Sequence, residues 1–130
     1  MERRLYFFFG DIVTNASVGA VAGLTASAIV DSSWNVLAAM VAAMLVGHLI
    51  AMLGFLIFTP LFGGFEVMLP GMLSGMESGM IVGMAAAMRP LSTGQAALLG
   101  ALIGLAVLSA TAVLNDRIRA DAQKKLAAER

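Results

Sequence analysis

Apolar residues fall into four long blocks separated by short polar punctuation, and this pattern predicts four helices. The blocks run from Ile12 to Val30, Trp34 to Phe58, Val67 to Met88 and Gly94 to Leu114. Between them lie Asp31-Ser32-Ser33, Thr59-Pro60 and Arg89-Pro90, and Asn115-Asp116 follows the last. Each block is long enough to cross roughly 30 Å of hydrocarbon at about 1.5 Å per residue. Ser33 is placed to cap the second helix, and Ser92 or Thr93 the fourth. Pro70 falls near the first turn of the third, where proline is tolerated. The first block carries Thr14, Asn15, Ser17, Thr25 and Ser27, so it is expected to face other helices rather than lipid.

Composition turns four helices into a membrane protein. Of 130 residues, 60% are apolar and only 12% charged, and mean hydropathy is +0.92. A soluble domain of this length needs more polar surface to cover itself. The expected fold is an all-α integral membrane bundle of four transmembrane helices with a short charged C-terminal helix. Residues 1–115 form the membrane domain and 116–130 a charged cytoplasmic tail with Ile118, Ala120, Ala122 and Leu126 on a thin apolar stripe. Ala26 to Ala28 loosely resembles a signal-peptide cleavage site, but Gly10 and Asp11 interrupt the apolar stretch after Phe9, so the first block reads as a retained span. Leu5-Tyr6-Phe7-Phe8-Phe9 reads as an interfacial anchor.

Charge fixes orientation and removes some partners. Net charge is zero, which speaks against nucleic acid. Arg3 and Arg4 flank the first block; Arg117, Arg119, Lys124 and Lys125 flank the last. The positive-inside rule then places both termini in the cytoplasm, across the inner membrane in a bacterium. With no cysteine, disulfides and thiolate metal sites are excluded.

Small residues recur at four-residue spacing: Gly19 and Gly23, then Gly71, Gly75, Gly79 and Gly83, then Gly100 and Gly104. Such spacing marks close helix contact in lipid. Contacts within the bundle are the first expectation. Packing between copies, or against other subunits of a membrane complex, is the second.

Methionine shows a lattice of its own. Met40, Met44 and Met52, then Met68, Met72, Met76, Met80, Met84 and Met88, all fall on one four-residue step, and the vacancy in the first run holds the only histidine, His48. A four-residue step drifts about 40° per repeat, so Met68 and Met88 end roughly 200° apart and no single channel is lined by all six of the second run. Glu77 sits near the centre of the third block, where a charged side chain costs at least about 2.5–3.5 kcal/mol. In an antiparallel hairpin turning near Phe62-Gly63, residues whose numbers sum to about 125 share a depth. His48 and Glu77 satisfy that relation.

The candidate site is therefore His48 and Glu77 at the midplane, with Met44, Met76, Met80 and Met84 as soft lining. Thioether and imidazole suit Cu(I), and copper is the cofactor or cargo this donor set implies. The Met-xxx-Met spacing beside Gly-xxx-Gly resembles the arrangement in eukaryotic-type copper transporters, over a few residues and with a different span count. Other readings are a His48–Glu77 proton relay, or methionine as packing filler with Glu77 protonated or hydrogen-bonded. With one histidine and no cysteine, no nucleophile–base set assembles, and the glycines lack the Lys-Ser/Thr ending of a phosphate loop, so no enzyme is expected. The alternative to cation binding or passage is a non-catalytic structural or accessory subunit packed through its glycine faces.

Overall fold

Each apolar block becomes one antiparallel helix, and most of the boundaries move outward. The structure, a computed structural model, describes residues 2–62 and 64–130, with the side chains of residues 2, 3 and 64–67 outside the description. The helices are α1 (Glu2–Ile29), α2 (Val36–Phe62), α3 (Gly64–Met88) and α4 (Thr93–Ala128), and no strand occurs among the described residues. α1, α2 and α4 are long and apolar enough to cross a membrane. α3 is diluted by Glu77, its glycines and its two serines.

Three expectations need correction, and one gains detail. The aromatic run lies inside α1, where the Tyr6 hydroxyl donates to the Leu61 carbonyl at 2.9 Å and its ring packs 5.4 Å from Phe62. Gly10 makes room for that ring, since a Cβ there would lie 2.5 Å from Phe62 Cδ1. α2 does not stop at Pro60 but continues to Phe62. Proline removes one donor from the last turn, and there Thr59 Oγ1 donates to the Phe55 carbonyl at 2.6 Å while Tyr6 holds that of Leu61. The cap of α2 is Asn35 rather than Ser33: Asn35 Oδ1 accepts from Leu37 N at 2.9 Å. Finally, the charged tail is not an element of its own. α4 runs unbroken for 36 residues, about 54 Å, and from Ala112 onward every residue is exposed.

The start of α4 agrees with the sequence. Ser92 accepts from Gln95 N while Gln95 Oε1 accepts from Ser92 N, a complete capping box. The expected turn after Phe62 rests on Gly63, outside the described residues.

Packing follows a rule invisible in any single block. α1 meets α2, α3 and α4; α3 meets α1, α2 and α4; among the described residues α2 and α4 never meet. The closest approaches form two seams. In the α1–α4 seam, a Cβ on Gly19 would lie 2.2 Å from the Gly100 carbonyl, on Gly23 2.6 Å from that of Ala96, and on Gly104 2.3 Å from that of Asn15. In the α3–α2 seam, a Cβ on Gly79 would lie 2.3 Å from the Ala43 carbonyl, on Gly83 3.2 Å from that of Ala39, and on Gly47 2.1 Å from that of Gly75. These contacts correspond one to one. Gly19 and Gly23 stand sixty positions before Gly79 and Gly83, and Ala39, Ala43 and Gly47 stand fifty-seven before Ala96, Gly100 and Gly104. The second hairpin thus repeats the first about a two-fold axis that runs along the helices between α1 and α3.

Side chains at that axis are small and tightly buried: Ala22, Ala26 and Val82, together with Thr14, Asn15, Ser74 and Ser78. Ser74 Oγ donates to Asn15 Oδ1 at 2.5 Å and also approaches the Gly104 carbonyl at 3.2 Å, and Ser78 Oγ donates to the Gly100 carbonyl at 3.0 Å. Asn15 Nδ2 donates to the Asp11 carbonyl one turn back, at 2.8 Å. Interhelical bonds of this kind average about 0.6 kcal/mol in a lipid setting. Their larger effect is to fix which faces of α1, α3 and α4 meet.

Candidate functional site

The seam register fixes the depth of every candidate residue. Gly47 opposes Gly75, Ala43 opposes Gly79 and Ala39 lies beside Gly83, so His48 is level with Ser74 and Glu77 with Leu45. His48 and Glu77 therefore lie within one turn of each other in depth, close to the expected relation.

They do not face each other. About 100° separates successive residues on a helix, so Glu77, two positions from both Gly75 and Gly79, points roughly 160° away from α2. It lines a groove of about 440 Å³ between α3 and α4, with Leu73, Ile81, Ile103, Val107, Thr111 and Leu114 among the walls. His48 follows Gly47 by one position and lies on the flank of the α2–α3 seam opposite α1. No hydrogen bond or ion pair joins the two side chains, and the His48 Nδ1 atom is buried without a partner. Within one bundle the helix faces on which they stand turn the two side chains apart, Glu77 toward α4 and His48 toward the outer flank of the α2–α3 seam.

The methionines divide in the same way. Met44, Met76, Met80 and Met84 each stand one position after a seam residue (Ala43, Gly75, Gly79 and Gly83), so all four project to the His48 flank. The structure thus brings His48, Met44, Met76 and Met80 to one side of the α2–α3 seam, carries Met84 further along it, and excludes Glu77. Among the described residues, no three His, Cys, Asp or Glu side chains gather round one point. Any metal on this flank would rest on thioethers and a single imidazole.

Among the described residues, the space at the helix junction is small. The void at the junction of α1, α2 and α3, lined by Thr14, Val18, Phe55 and Met72, measures about 10 Å³, room for about one water. The Thr14 hydroxyl is buried there without a partner. The larger spaces are lateral. The Glu77 groove meets a second, more polar one of about 430 Å³ lined by Asp11, Pro70, Thr111, Asn115 and Arg119, and Thr111 belongs to both. Together they lead from the end carrying both termini toward Glu77. Thr111 itself is satisfied within its helix, donating to the Val107 carbonyl at 3.0 Å.

At the opposite end, the Asp31 loop is ordered by its own carboxylate. Ser33 donates from both its backbone N and its hydroxyl to Asp31 Oδ1, which holds the Asp31 carboxyl below the usual carboxylate range. This is a turn-forming role.

Residue-by-residue reading missed Ser74, Ser78 and Asn15 as the polar centre and missed the α3–α4 groove altogether. The signal was present: Ser74, Ser78 and Val82 precede Gly75, Gly79 and Gly83 by one position each, which puts them on the flank facing α1. Fold and site together define a class of helical protein, two hairpins of repeated geometry with a tightly packed axis and a lateral groove that carries Glu77. No family model matches the chain, and neither a curated protein nor a solved structure does.

Proposed function

We propose that this chain is a four-span integral membrane protein, both termini cytoplasmic, that serves as a non-catalytic assembly subunit rather than as a conduit. Arg4, Arg117 and Arg119 gather at the end where α1 begins and α4 finishes, which supports that orientation. The observation that carries the reading is Glu77. Its carboxyl stands at mid-depth on an outward-facing groove, with no hydrogen-bond or salt partner among the described residues. Exposed to lipid, such a group costs about 2.5–3.5 kcal/mol or more. A helix laid into the groove removes lipid and supplies a donor, and the apolar walls suit it. Passage through a single bundle loses support from the tightly packed axis.

A second reading keeps the soft flank. Met44, His48, Met76 and Met80 form a donor set suited to Cu(I) binding on the α2–α3 seam, without Glu77. Copper analysis of purified wild type and Met80→Leu tests it, and negligible metal in both removes it.

The assembly reading is tested by native mass spectrometry from lipid nanodiscs. Wild type is expected to run heavier than one 13.5 kDa chain. Ala110→Trp, at an exposed position lining the groove, is expected to release single chains while leaving helix content unchanged. A wild type that travels alone in the bilayer ends the proposal.

A further inference from the structure

We propose that the helix filling the α3–α4 groove is α2 of a second copy of this chain, which brings its His48 to Glu77. The inference rests on the assembly reading above and names the partner.

Three observations converge. First, each group lacks inside its own chain what the other offers. Glu77 is a carboxyl without a donor. On His48, Nδ1 is sealed and unpartnered, so the nitrogen open to a neighbour is Nε2. In the tautomer that leaves the buried Nδ1 bare, Nε2 carries the ring proton and can donate outward. Second, the two groups match in depth. The seam register leaves them three residues apart, about 4.5 Å along the helix direction, within reach of two long side chains. Rotation about the membrane normal preserves depth, so copies related by such a rotation present His48 and Glu77 at nearly one height. Third, the surfaces fit. Beside His48, α2 exposes Leu45, Leu49 and Met52 at 57%, 59% and 45%, and the groove presents Ile103, Val107 and Leu114.

Because the two groups stand on different faces of the protomer, the contact is head-to-tail. In a membrane, such a contact forms a ring where its rotation about the membrane normal closes and an open row where it does not. Each copy donates His48 to one neighbour and Glu77 to the other. The polar pair that the sequence places at one depth is thereby completed between chains.

The absence of cysteine gives a clean background for the test. Two differently tagged copies, one carrying Glu77→Cys and the other His48→Cys, are co-expressed and oxidised in native membranes. The expected result is a mixed disulfide dimer, with neither variant cross-linking when expressed alone. Since both changes delete the pair itself, a second set keeps it: Leu73→Cys with Met52→Cys, one turn nearer the termini. This set should also cross-link only as a mixture, and should lose the cross-link when Glu77→Gln is added. Failure of both sets, or self-linking of Glu77→Cys, overturns the head-to-tail pair. If both fail while the wild-type particle still holds another protein, the assembly reading stands and only the identity of the occupant falls. A single-chain wild type removes both.

Discussion

The two glycine seams share one backbone geometry but differ in what lies beside them. At α1–α4, the flank facing the axis is polar: Asn15 reaches Ser74, while Ser74 and Ser78 reach the carbonyls of Gly104 and Gly100. The outer flank there holds Ala16, Ala20, Ala101 and Leu105, the counterparts of Met76, Met80, Met44 and His48 at α2–α3. Close approach is thus the repeated property, and flank chemistry the variable one. The two helix pairs share what the backbone contact requires and differ outside it.

Breaking the contact itself should have the largest effect. Gly47→Leu and Gly100→Leu each drive a side chain into a facing carbonyl only 2.1 Å from the added Cβ. Both are expected to destabilise by about 1–3 kcal/mol or more, the cost of overpacking, read as a lower denaturant midpoint in micelles. Gly71→Leu is the control, since nothing lies within 4 Å of a Cβ there. If Gly47 and Gly100 tolerate leucine as Gly71 does, the two seams are not the structural unit.

How much of this was legible beforehand depends on what each residue must do. Helix number, the Ser92 cap and the contact glycines follow from local rules: apolar length, side-chain capping and the need for bare backbone. The helix ends near Pro60 and Leu114 did not, because Tyr6 reaches the Leu61 carbonyl at the first from another helix and no breaker follows the second. Depth was readable for His48 and Glu77, since an antiparallel hairpin fixes height. Direction was not. It depends on which face of α3 turns toward α2, and glycines at every fourth position of α3, with Glu77 two positions from its neighbours, settle that only once the partner helix is known.

A smaller effect sharpens the polar difference between the seams. Asn15→Ala removes the acceptor of Ser74 and should cost about 0.6–1.7 kcal/mol in the α1–α4 half. Its positional counterpart is Gly75, which makes no side-chain bond, so the α2–α3 seam has no equivalent loss. A double-mutant cycle of Asn15→Ala with Ser74→Ala checks this, and additive costs would deny the coupling.

Smallest of all is the loop that joins the two halves of the first hairpin. Asp31 has its folded-state pKa lowered by Ser33. Its stabilisation is therefore present above the ordinary carboxylate value, about 3.9, and is lost as pH falls through the lower folded value. Asp31→Asn should accordingly melt slightly below wild type at neutral pH and merge with it in acid. A gap that persists unchanged below that range would mean the carboxylate charge plays no part.

The cross-over of the seams has a consequence for the order in which a ribosome delivers the chain. α2 and α3 are neighbours in synthesis and can close as soon as both emerge. α1 comes out first, yet its glycine face belongs to α4, which comes out last. Until α4 emerges, Gly19 and Gly23 stand without their permanent seat, and a message cut short after Met88 leaves them so for good.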